Sequence, residues 1–176
     1  MKKIEFPMLT AEDIEVRVAQ VKQNGLSLLL YKDARCDMRL LDSQGLTWQR
    51  SHEVINGNLF CTVSIYDEDL QAWVSRQDVG TPSFAEPAKG EASDSFKRAC
   101  TNWGIGRELY TAPFIWISAD KANIKSKGNG FSCNDRFKVT QIIYDDKRNI
   151  VALAIKNVTK KSMAFVWDGR KAEKVA

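Results

Sequence analysis

The chain of 176 residues contains a single histidine, His52. Zinc catalysis and Ser/His hydrolysis both draw on imidazole, so both are poorly supplied with ligands and bases. The four cysteines, Cys36, Cys61, Cys100 and Cys133, are scattered, with no pair at metal-ligand spacing. They read as small, reduced core residues of a cytoplasmic protein. No run of eighteen apolar residues occurs, so no membrane-spanning helix is expected. The opening "MKKIEFPMLT" lacks an apolar core of signal-peptide length, so export is not expected. No strand leads directly into a glycine fingerprint for a nucleotide, and no cofactor is expected. Asp78, Glu86, Glu91 and Lys89 are the one set that resembles a Mg²⁺ nuclease centre, and their spacing is loose. These absences fit a binding protein that is not an enzyme, without establishing one.

What is present is ordinary globular composition, 44% hydrophobic and 27% charged, at a length that suits one domain over 1–176. The net charge of +4 hides an asymmetry. Residues 1–120 carry 13 basic and 17 acidic side chains, whereas residues 121–176 carry 13 basic and 5 acidic ones. A positive final third favours a polyanionic partner, of which nucleic acid is the commonest.

Periodicity divides the chain into segments. In "TAEDIEVRVAQVKQNG", Thr10 is placed to cap and Asp13 follows three residues later. Ile14, Val18 and Val21 then recur at helical spacing up to Gly25, predicting a helix. "LSLLLYKD" reads as a short strand, and "ARCDMRLLDSQG" as a second short helix with Cys36, Leu40 and Leu41 inward. "WQRSHEVI", "NLFCTVSIYD" and "QAWVSRQDVG" alternate at period two around Asn56-Gly57 and an acidic turn, predicting a three-stranded antiparallel meander. A long helix follows Pro87. "FKVTQIIYD", "NIVALAIKNV" and "SMAFVWDG" supply C-terminal strands within 137–176, and the glycine-rich stretch within 118–136 reads as a basic mobile loop. The expected fold class is α+β. Its β-β-β-α core spans 48–110, a meander packed against one long helix, with N-terminal helices and C-terminal strands added.

The long helix, in "KGEASDSFKRACTNWGIGRELY", gathers Ala92, Phe96, Ala99, Cys100 and Trp103 into one apolar stripe. Lys97 and Arg98 leave on its flanks, with Asp94 placed to pair with either. One reading is a self-neutralised solvated face. The other is a phosphate-gripping edge, because such cations hold any base sequence by its backbone.

Residues 48–110 resemble the Rad-fifty-two superfamily of single-strand annealing proteins, in particular its small bacterial and phage members. The likeness is carried by Trp48, "FCTVSI", "WVSRQDVG" with Asp78, Val79 and Gly80, and the helix residues Glu91, Ala92, Asp94, Lys97, Arg98, Ala99, Gly104 and Leu109. The resemblance implies a homo-oligomeric ring whose positive groove holds single-stranded DNA by its backbone with the bases outward. It implies ATP-independent annealing of complementary strands in recombination or repair, in a bacterial cytoplasm, with phage or prophage origin favoured over a host repair system. A partner exonuclease and a single-strand-binding protein are implied as well. The family's groove-floor pair maps to Lys97 and Arg98, but a further arginine of eukaryotic members is Thr101 here.

Secondary DNA-binding candidates are Lys32, Arg35, Arg39 and Arg50 in the N-terminal half. Lys121, Lys125, Lys127, Arg136 and Lys138 form a basic cluster in which Asp135 is the one acid. The alternative function is an α+β module that binds RNA or single-stranded DNA without annealing it.

Overall fold

Residues 15–22 form a strand where the period of the sequence predicts a helix. In this computed structural model, which describes residues 4–83 and 86–171, the first strands are β1 (Glu15–Lys22) and β2 (Gly25–Tyr31), followed by helix α1 (Ala34–Ser43). Next come β3 (Trp48–Ile55), β4 (Asn58–Asp67), β5 (Ala72–Val79) and helix α2 (Pro87–Trp103). The later strands are β6 (Ile115–Ser118), β7 (Ile124–Lys127), β8 (Gly130–Cys133), β9 (Phe137–Tyr144), β10 (Ile150–Asn157) and β11 (Ser162–Asp168).

The Thr10–Asp13 pair does form. Thr10 donates from its backbone N and its Oγ1 to Asp13 Oδ2, at 2.8 and 2.7 Å. However, Asp13 N–H returns to Thr10 C=O at 3.0 Å, so the pair closes an isolated turn. The valines after it then do what β-branched residues do beside a complementary strand, and β1 pairs antiparallel with β2 from Glu15↔Tyr31 to Lys22↔Gly25.

The fold class expected from the sequence is corrected. Eleven strands stand against two α-helices among the described residues, and the largest sheet has six strands in the order β11-β10-β9-β1-β2-β6. The protein is mostly β, and a meander with a long helix is not its core. The chain divides into two compact units, Met1–Met8 with Lys32–Arg107 and Leu9–Tyr31 with Glu108–Ala176.

In the helical unit the sheet order is β3-β4-β5. The turn at Asn56-Gly57 has positive φ at both positions, 52° and 79°, as a two-residue hairpin of matching twist requires. Cys61, Val63 and Ile65 of the central strand are buried, together with Phe96, Ala99, Cys100 and Trp103 of α2 and Cys36, Leu40 and Leu41 of α1. Trp103 Nε1 donates to Val63 C=O at 3.0 Å, so the largest ring of the stripe carries no unmet donor inward. Burial of each such large side chain stabilises by about 1.5–3 kcal/mol. Gly104, at φ 105°, ends α2 in the left-handed conformation.

Gly80 lets β5 run against α2. A Cβ there would lie 2.1 Å from the Glu91 carbonyl oxygen and 2.9 Å from the Ser95 nitrogen, both backbone atoms that cannot step aside. Gly80→Ala is expected to destabilise the protein by about 1–3 kcal/mol through overpacking. A lowered urea midpoint without a change of slope would show it.

The sheet unit packs Leu26, Leu28, Ile115, Ile117, Val139, Leu153 and Ile155 on its inner side. Strands β11 and β6, at the two ends of the hydrogen-bonded order, approach one another, so this sheet is nearly closed like a barrel. The stretch expected as a mobile loop contains the hairpin β7-β8, registered from Ile124↔Cys133 to Lys127↔Gly130. Gly128, at φ 56°, makes its turn. Among the described residues no helix is long and apolar enough to cross a membrane.

Candidate nucleic-acid interface

Helix α2 packs against β4 and β5 of its sheet, and polar side chains gather along its flanks. Opposed residues of neighbouring strands share a face, so Arg50, Val63 and Arg76 form one row beneath the helix. The apolar Val63 is central and buried, and the two arginines stand outside it. The Arg50 guanidinium lies 4.5 Å from the Phe96 ring centroid, and that of Arg76 lies 5.2 Å from Trp103. Both cations are thereby fixed over aromatic faces while remaining exposed. Trp48 stacks on Phe96 from the same strand as Arg50, at 6.1 Å.

Arg98 is 45% exposed, and its Nε donates to Asp78 Oδ1 at 3.1 Å. Asn102 Nδ2 donates to the other oxygen of Asp78 at 3.2 Å, so β5 positions both side chains. Lys97 is 26% exposed, and its Nζ stands 3.9 Å from Asp94 Oδ1, a loose ion pair. Asp94 also accepts from Thr81 N–H at 3.1 Å. Thr101, where the resemblance leads one to look for a third cation, folds its hydroxyl back to the Lys97 carbonyl at 3.0 Å. Near that end of the helix, Arg107 donates through Nη2 to the carbonyls of Thr101 and Asn102, each at 3.0 Å.

Lys32 requires a correction, because it is not a surface cation. It is 5% exposed and paired with Asp37, which is fully buried, and its Nζ also donates to the Lys97 carbonyl at 3.1 Å. Burial pushes the Asp37 carboxyl up to about 6, against the opposing pull of Lys32. This pair ties the start of α1 to α2 inside the helical unit and presents nothing to a phosphate. Arg35 and Arg39 are exposed one turn apart on α1, with Arg35 Nε 3.2 Å from Asp33 Oδ2. Asp67, Glu68 and Asp69 line a cavity beside Trp103 at the β4–β5 turn, an acidic end at which a phosphate path would be repelled.

The second candidate cluster lies on the sheet unit. Lys121, Lys125, Lys127, Arg136 and Lys138 are all exposed. Asp135, the acid among them, is turned inward. It accepts from Asn123 N at 2.8 Å, Asn123 Nδ2 at 2.9 Å and Asn157 Nδ2 at 2.7 Å. Burial opposes its ionisation, but these hydrogen bonds prevail and hold its carboxyl below the usual range. The acid joins the two ends of the hairpin and leaves the lysines' charge in place. Lys125 and Lys127 project from one side of the hairpin and Phe131 from the other.

The acids of the nuclease reading are engaged elsewhere. Glu91 Oε1 accepts from Leu59 N–H at 3.1 Å, Glu86 pairs with Lys89 at 2.9 Å, and Asp78 holds Arg98 and Asn102. Among the described residues no three His, Cys, Asp or Glu side chains gather as a metal site. His52 Nε2 lies 3.1 Å from the Ala92 carbonyl oxygen. Sequence reasoning missed Arg76 and Asn102. The signal for Arg76 was available in the strand period of "WVSRQDVG", which puts Val74, Arg76 and Asp78 on one face.

Over 98 residues the chain is 35% identical to the single-stranded DNA-binding protein DdrA of Deinococcus radiodurans. The match covers 54% of this chain and 46% of that protein, so the chain spans under half the length of this relative. No protein-family model matches, and no solved structure gives a significant match.

Proposed function

We propose that this chain binds single-stranded DNA by its sugar–phosphate backbone and pairs complementary strands without nucleotide hydrolysis. The observation that carries the binding half is the 35% identity to a protein named for single-stranded DNA binding. The partly exposed Lys97 and Arg98, with Arg50 and Arg76 at the margins of α2, support a contact made through charge. Fixed cations lower the repulsion between two phosphate chains and need no base edge, which leaves the Watson–Crick edges available to a second strand.

Annealing, a role in recombination or repair, and the link to the Rad-fifty-two superfamily follow from the resemblance of residues 48–110. Assembly into a homo-oligomeric ring belongs to the same proposal. It is supported by β3 and β5, each of which has β4 as its one partner among the described residues and so offers an eight-residue edge. A bacterial cytoplasm, a phage or prophage origin, and cooperation with an exonuclease and a single-strand-binding protein complete the reading.

The test is to mix complementary oligonucleotides with purified protein and no nucleotide, and to follow duplex formation by fluorescence transfer. The expected result is pairing faster than the spontaneous rate, together with binding to each single strand alone. Binding without acceleration, or preference for RNA, would replace this reading with that of a non-annealing module.

A further inference from the structure

The outer surface of the sheet unit carries an aromatic pair that the backbone-binding reading does not use. Ile115 and Ile117 are buried, so Trp116 between them faces outward. Phe114 precedes it, 77% exposed, and stacks on it with ring centroids 6.3 Å apart and planes 20° from parallel. Trp116 is held from beneath. A Cβ at Gly25 would lie 2.6 Å from its Cε2, so glycine on β2 is what lets the indole lie down on the sheet. The outer ring, Phe114, is therefore supported by a fixed one and presents an open π-face.

The neighbouring rows say what such a face would take. Ser27 is opposite Trp116, so a small polar group adjoins the indole, and Gln20 is opposite Ser27 on the next strand. Arg17 is opposite the exposed Leu29. Farther across, Lys138 is opposite both Glu15 on β1 and Lys156 on β10, and both lysines are exposed. Two like charges at directly opposed positions oppose folding. Glu15 offsets part of that, and a bound polyanion would offset the rest. Stacked aromatic rings beside outward cations on an exposed sheet are how single-stranded nucleic acids are held with little sequence preference.

We infer that Phe114, supported by Trp116, is a stacking site for an unpaired nucleobase of a single strand whose phosphates are met by Arg17, Lys138 and Lys156. This rests on the single-strand-binding reading and adds a base contact to it. The site would hold a strand against sliding while contributing no sequence code, because every base has a π-face.

The experiment compares an oligodeoxythymidylate with an abasic chain of equal length, using wild-type protein, Phe114→Ala and Phe114→Tyr. Wild type should bind the base-bearing strand about tenfold more tightly. Phe114→Ala should erase that preference while leaving affinity for the abasic chain unchanged, and Phe114→Tyr should restore it. Titration with thymidylate should quench the indole emission, and Trp116→Phe should remove that part of the quench. An intact preference in Phe114→Ala overturns the stacking site alone. Failure of wild type to bind either strand overturns the single-strand reading, and this site with it. The exposure of Phe114 means that its loss leaves the fold in place.

Discussion

Replacing Lys97 and Arg98 together by alanine is expected to lower affinity for single-stranded DNA at least tenfold, with the fold retained. Both side chains reach solvent, and alanine is the best helix former, so α2 keeps its geometry. Loss of two phosphate contacts should flatten the dependence of log affinity on log salt by about 1.4 for a single strand. Filter binding at several salt concentrations measures both quantities. Lys125→Ala with Lys127→Ala, on the hairpin of the other unit, should cost less affinity while also flattening the slope. An unchanged affinity in the α2 double variant would remove that helix from the interface.

Lys32→Met is expected to be the most destabilising single change, by about 3–5 kcal/mol at pH 7, because it leaves Asp37 buried beside an apolar side chain. One carboxylate oxygen of Asp37, Oδ2, already lacks a hydrogen-bond partner among the described residues. The pH dependence has a definite sign. Burial raises the folded-state value of Asp37 to about 6 from 3.8. The stability contributed by this group is thus fully present below the unfolded value and is lost as pH rises through about 6. The deficit of Lys32→Met should therefore be larger at pH 7 than at pH 5. Lys32→Met with Asp37→Leu should recover most of it, since an apolar pair of similar volume carries no desolvation cost. Urea unfolding at the two pH values tests this, and equal deficits at both would contradict the account of Asp37.

The same pair shows where sequence reading of the site reached its limit. Lys32 follows a strand and precedes a helix cap, a position that sequence alone cannot distinguish from an exposed linker. Its burial depends on Asp37 one helical turn into α1 and on a carbonyl of α2, 65 positions away. Asp135 behaves alike, polar in the sequence and turned back to Asn157, a partner that only folding brings near. Arg98 was legible as a flank residue, but its partner was not. Asp94 has helical spacing, yet Asp78 on the adjacent strand takes the guanidinium.

The local chemistry of the chain determined a good deal without tertiary help. The Asn56-Gly57 turn, the apolar stripe of α2, the glycine that ends it and the surplus of cations after residue 120 are all written at short range, where one or two residues set the conformation or the charge. The fold class was decided elsewhere. Ile14, Val18 and Val21 fit a helical stripe, and their valines fit a strand equally well. The choice fell to β2, which begins after a two-residue turn and offers backbone partners along the whole of β1. From there the sheet grew by strands distant in sequence, β6 on one side and β9 to β11 on the other, and made the protein mostly β. Pairing energy between segments more than 80 residues apart leaves no period in either of them, which is why only the tertiary structure reveals it.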